Sequence, residues 1–175
     1  PNCHFYGPVL SRWPGAGERV WLTIDDGPSA DTPALLDLLD KHRARATFFV
    51  VGERAAAQPE LVRQILARGH SLGNHSHSHP QLDQLDDRRL RSELTLCREI
   101  VSDRLGTAPE SFAYPYGYSS RRVREAVRET GYAQALAVGN GLARRAQGPY
   151  ALRRVTVRRS TGAAEFGRLL DGDGL

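Results

Sequence analysis

Short apolar runs alternating with helical stretches most constrain what this 175-residue chain can fold into. Val20-Trp21-Leu22-Thr23-Ile24 is apolar and partly β-branched, and it ends at Asp25. Asp31-Thr32-Pro33 then predicts a helix start, a cap followed by Pro at the first helical position, and Leu35, Leu36, Leu38 and Leu39 form its apolar face. Residues 46–51 read as a buried strand, and Pro59 opens a helix carrying Leu61, Val62, Ile65 and Leu66 that Gly69 stops. A short strand at Ser71-Leu72 leads into a His-rich loop, after which Leu90, Leu94, Cys97 and Val101 mark a longer helix. Strands are predicted at residues 111–114, 133–138 and 152–157, with helices at about 120–130 and from about Ala163. Strand and helix in alternation imply βαβ units and a mostly parallel sheet. One α/β domain over residues 1–175 is expected, long enough to bury a core without disulfide staples.

Hydrophobic residues make up 40% of the chain and charged residues 25%, ordinary for a soluble globular protein. No apolar run nears the roughly 20 residues of a membrane span. No signal-peptide pattern opens the chain, and with no Met present Pro1 is expected to be a processed start, which leaves any targeting segment out of sight. The net charge of +4 is carried by Arg, with Lys41 the single Lys. Arg88-Arg89, Arg121-Arg122 and Arg158-Arg159 alternate with acids and are not interleaved with aromatics, so they read as solvated faces and no nucleic-acid partner is expected. Cys3 and Cys97 form no CxxC and lie far apart, so buried or free thiols are expected, with their pairing and the compartment left open.

Chemistry concentrates just after predicted strands, where α/β sheets and barrels place active sites. Asp25-Asp26-Gly27-Pro28 turns the chain at a strand end and leaves two adjacent carboxylates at the rim. They point in opposite directions, so one shared role is not expected of them. The second segment, Gly73-Asn74-His75-Ser76-His77-Ser78-His79-Pro80, holds three histidines in five residues. In a helical turn His75 and His79 share a face; in an extended segment His77 joins them, and spacing alone leaves both open. Two imidazoles and one carboxylate form an open site for a catalytic divalent ion, with a position left for water. The second carboxylate then has a use, as the base that takes that water's proton.

Thr23-Ile24-Asp25-Asp26-Gly27-Pro28, Ala46-Thr47-Phe48-Phe49-Val50 and the His-rich segment, in this order over residues 21–80, closely resemble the first half of the polysaccharide deacetylase family. That family is also known as carbohydrate esterase family 4 or the NodB homology domain. The resemblance implies an α/β fold, a distorted (β/α) barrel with mostly parallel strands. It also implies a bound zinc or similar divalent ion (cobalt, nickel or manganese among them) and removal of N-acetyl groups from amino-sugar glycans by metal-bound water. Matched residue by residue, Asp25 is the base; Asp26, His75 and His79 hold the metal; His77 is not a ligand; Asn74 and Ser76 brace the loop. An N-acetylated glycan or oligosaccharide is the implied partner, and a secreted or periplasmic setting is favoured.

The second half departs from the family pattern. Phe112-Ala113-Tyr114-Pro115-Tyr116-Gly117 carries Ala113 where the third motif usually has Arg, as in a variant subgroup. The backbone N–H of Tyr116 is expected at the oxyanion. With that Arg gone Asp25 needs another partner, and strand alternation in the 150–157 segment turns one of its two arginines inward, so Arg154 is expected to pair with Asp25. The family's final Leu-x-His, which protonates the departing amine, is missing, since no His follows His79. His4 stands where circularly permuted relatives place the acid. Proton shuttling by Asp25, help from His77, or a domain that binds metal and glycan but turns over poorly are the alternatives, and a small N-acyl metabolite is an alternative substrate.

Overall fold

The structure is a computed structural model that describes residues 9–10, 20–106, 108–139, 141, 143–157 and 168. In chain order the elements are β1 (Val9–Leu10), β2 (Val20–Gly27), α1 (Thr32–Lys41), β3 (Ala46–Val50), α2 (Gly52–Ala57), α3 (Pro59–Ala67), β4 (Ser71–Asn74), α4 (Asp87–Leu105), β5 (Ser111–Ala113), α5 (Arg121–Glu129) and β6 (Gln134–Leu136). The sheet runs β1 to β6 in sequence order, and every pairing from β2 onward is parallel. Each new strand is added beside the last with no reversal of order. That sequential addition distinguishes a (β/α) barrel from a doubly wound sheet, and the fold is a distorted, partly open barrel.

Strand alternation sorts the core into an outer and an inner layer. On β3, Phe48 and Val50 face the helices and pack with Ile24, Leu36, Leu39, Val62, Ile65, Leu72, Cys97 and Val101. Phe49 faces the barrel interior with Ala113 and Leu136. It is fully buried, which contributes on the order of 1.5–3 kcal/mol. Its ring lies so close to β4 that a Cβ on Gly73 would come within 2.4 Å of it, so only glycine fits there. A further cluster, with Leu90 and Leu94 of α4, Val123 and Val127 of α5, Phe112 and Tyr132, closes the β5–β6 side.

Local signals set the helix ends. Asp86 caps α4 by accepting the Arg89 N–H at 2.8 Å, and Gly106 ends it at φ 72°. Ser120 caps α5 through the Val123 N–H. Three expectations need correction. Leu38 is half exposed, because only Leu36 and Leu39 of the four leucines are buried at helical spacing. Residues 152–157 form no strand; the segment makes one parallel bridge, Leu136 to Leu152. A helix at Gly52–Ala57, rich in Ala and without an apolar face of large residues, was not expected. The helix expected from about Ala163 lies outside the described residues except at Arg168, which is helical. Among the described residues no helix is long and apolar enough to cross a membrane.

Candidate metal centre

The C-terminal end of β2 splits its two carboxylates. Thr23 and Asp25 fall on the interior side by alternation, and both are buried. Arg154 reaches Asp25 from the segment beyond the Leu152 bridge. Its Nη1–H and Nη2–H each donate to one Asp25 oxygen at 2.7 Å, Nη1 also reaches Thr23 Oγ1 at 3.3 Å, and the guanidinium lies 5.9 Å from the Phe49 ring centroid. This is the bidentate fork that Arg, not Lys, can supply.

Asp26 takes a left-handed backbone, φ 66°, which swings its carboxylate away from Asp25 and over β4. There Oδ1 meets His75 Nε2 at 3.4 Å and His79 Nε2 at 3.0 Å, while the two Nε2 atoms lie 3.2 Å apart. Arg54 donates to the Asp26 backbone carbonyl and fixes the turn. Burial, the largest single influence, pushes the Asp26 carboxyl up. Hydrogen bonds and charge from His75 and His79 together outweigh it and hold the group well below the ordinary 3.8.

His75 leaves the end of β4 fully buried, with its backbone N–H bonded to Val50 O at 2.9 Å. The Ala113 carbonyl sits 2.7 Å from Nδ1 and can only accept, so Nδ1 carries a hydrogen and Nε2 is the nitrogen turned toward Asp26 and His79. His79 is also left-handed, φ 63°; its N–H donates to Ser76 Oγ at 3.0 Å and its ring stands edge-on to Tyr116, 4.7 Å between centroids. Tyr116 itself has φ 57°. Asp26, Ser76, His79 and Tyr116 are thus four non-glycine residues in a costly conformation at one rim, the clustering expected of a functional site.

Three acceptor-capable atoms at such separations need a proton or a cation among them. Four-coordinate zinc, with N and O bonds near 2.0–2.1 Å, sets its ligand atoms about 3.3–3.4 Å apart. The separations of 3.0, 3.2 and 3.4 Å come close to that without rearrangement, and the donor set, one carboxylate and two oriented imidazoles, suits a divalent ion. Asp25 Oδ2 lies 4.0 Å from His75 Nε2, beside this triad and outside it.

Of the remaining sequence candidates, His77 does not join the three: its Nδ1 is buried near Gly52. Tyr114 is a core aromatic whose hydroxyl donates to Tyr150 O at 3.0 Å. His4 and Cys3 lie outside the described residues. Cys97 is a free, buried thiol whose Sγ–H contacts Asn74 Oδ1, and burial pushes it up to about 12. Sequence reasoning missed Thr23, Arg54 and Glu93; alternation with Asp25 pointed to the first, while nothing in the sequence marked the other two.

Residues 14–135 match the model of the polysaccharide deacetylase family. Chitin deacetylase 1 of Cryptococcus neoformans is 38% identical over 115 residues, 65% of this chain and 24% of that protein. Peptidoglycan-N-acetylglucosamine deacetylase PgdA of Listeria monocytogenes is 38% identical over 111 residues, 63% of this chain and 24% of that protein. The chain therefore spans about a quarter of the length of these relatives. In fold it is similar to the Streptococcus pyogenes deacetylase PplD, with a TM-score of 0.82 over 89% of this chain and 71% of the other at 20% identity.

Proposed function

Because the chain belongs to the polysaccharide deacetylase family, we propose that it hydrolyses the N-acetyl group of an amino-sugar glycan, with Asp25 as base and a divalent ion, zinc first among the candidates, held by Asp26, His75 and His79. The observation that carries this reading is the clamped carboxylate beside the triad, since a domain that only bound metal would have no use for Asp25 in that place. When bound, the ion supplies Lewis acidity that polarises the acyl oxygen and lowers the pKa of water. Asp25, locked by two hydrogen bonds from Arg154, accepts the proton of the attacking water. The backbone N–H of Tyr116, whose ring packs on His79, donates to the oxyanion that develops on the acyl oxygen as water adds to the acyl carbon. His4, or Asp25 passing on the proton it has taken, protonates the departing amine. Chitin and peptidoglycan, named for the relatives, lie outside the cytoplasm, and we place this chain's action there.

Acetate release from N-acetylglucosamine oligomers tests the reading. Asp25→Asn is expected to lower it by roughly 10²–10⁴-fold while zinc stays bound. A second reading, a domain that binds metal and glycan without turnover, is favoured by Ala113 standing where the family's third motif usually carries Arg. Zinc binding with no acetate release from polymer, oligomer or small N-acyl amine would establish that one instead.

A further inference from the structure

Glu93 of α4 takes no part in the chemistry above, yet its carboxylate gathers the loop that joins the two histidine ligands. Oε2 accepts the backbone N–H groups of His77 and Ser78, both at 2.8 Å, and Oε1 accepts the Ser78 hydroxyl at 2.6 Å. From the other side the first turn of α2 holds the same loop by its carbonyls: Gly52 N–H donates to Ser76 O at 3.0 Å and Glu53 N–H to His77 O at 2.9 Å. The fit is close, since a Cβ on Gly52 would stand 2.7 Å from His77 Nδ1.

The loop needs such a grip. Ser76 and His79 both have φ 63°, a conformation that residues with a Cβ rarely adopt, and His79 must keep it to bring Nε2 to 3.0 Å from Asp26. Bonds from backbone N–H to an ionised carboxylate are the stronger kind. One turn along α4, the Cys97 thiol contacts Asn74 and Val50 O, so a single helix grips both the end of β4 and the loop beyond it.

We propose that Glu93 is a positioning residue for the metal: by binding the 77–78 peptides it holds His79 in ligating geometry. This rests on the metal-binding reading of Asp26, His75 and His79, but not on turnover. The test is a zinc titration of chelator-stripped protein against a chromophoric competing chelator, which reads Kd without substrate. Glu93→Ala is expected to weaken Kd roughly ten- to a hundredfold, as losses behind a metal ligand do. Glu93→Gln, which can still accept both backbone N–H groups, should weaken it less, and Glu99→Ala, an exposed acid on the same helix, should leave it unchanged.

A Kd for Glu93→Ala within about twofold of the parent, or an equal loss in Glu99→Ala, overturns the proposal. Should Glu93→Ala not be recovered folded, Glu93→Gln and Ser78→Ala carry the test: a weaker Kd in either supports the role, and parental Kd in both overturns it. Parent protein that binds zinc but releases no acetate would sink the deacetylase reading and leave this one standing.

Discussion

Two buried histidines bracket β4, His70 just before it and His75 just after, and only His75 belongs to the candidate metal centre. His75 has both ring nitrogens engaged, Nδ1 by the Ala113 carbonyl and Nε2 by Asp26 and His79. His70 accepts the Ala46 N–H at Nδ1, 3.3 Å away, and sets its edge against Phe48, while its buried Nε2 meets no partner among the described residues. Burial first, then the Arg45 and Arg68 charges, push the His70 pKa below 6.5 against the pull of Asp40. Burial therefore does not identify a functional histidine. What does is a second nitrogen aimed at other ligand atoms, on the strand end where loops converge.

The strongest attempt to break this contrast is His75→Ala. Zinc retained after dialysis should fall from one ion per chain to none. Acetate release should drop by more than the roughly 10²–10⁴-fold of losing a general base. A variant that still carried equimolar zinc would move His75 into the same class as His70.

Next in size is Arg154. Removing one partner of a buried ion pair strands the other, so Arg154→Ala should lower stability by about 3–5 kcal/mol in denaturant melts. It should also slow turnover by up to roughly 10²-fold, the scale of a misplaced catalytic group. Arg154→Lys keeps charge without the fork and should fall between. Parental stability and turnover in Arg154→Ala would leave the pairing without consequence.

The smallest effect sharpens the other end of β4. A group whose folded pKa is depressed binds more protons unfolded, so stability rises with pH through that interval. For His70 the contribution is complete above about 6.5 and is lost as pH falls toward the lower folded value. His70→Asn, which can still accept the Ala46 N–H, should flatten the fall in Tm between about pH 7 and 5.5. A slope identical to the parent's would mean that folding leaves the His70 pKa unshifted.

The same contrast explains what the sequence could and could not disclose. Strands β2 and β3 announce themselves because a buried parallel strand reads as a near-continuous apolar run, and capping residues at Asp86 and Ser120 fix where helices begin. The Asp25-Asp26 pair and the three histidines stood out by residue type and close spacing, the family resemblance chose Asp26, His75 and His79 among them, and alternation turned one arginine of the Arg153-Arg154 pair inward even though the segment forms no strand. Glu93 gave no such signal: it is one acid among arginines on a helix, and its partners are backbone N–H groups 15 and 16 residues away, which any sequence offers.

The order in which the sheet is laid down has a bearing on synthesis. Asp26, His75 and His79 all precede residue 80 in the chain, whereas Arg154, which clamps Asp25, lies 129 residues beyond that aspartate. At about 5–20 residues per second, roughly 4–15 s separate the translation of His79 from that of Arg154. The nascent polypeptide thus carries all three proposed metal ligands before Asp25 has its counter-ion.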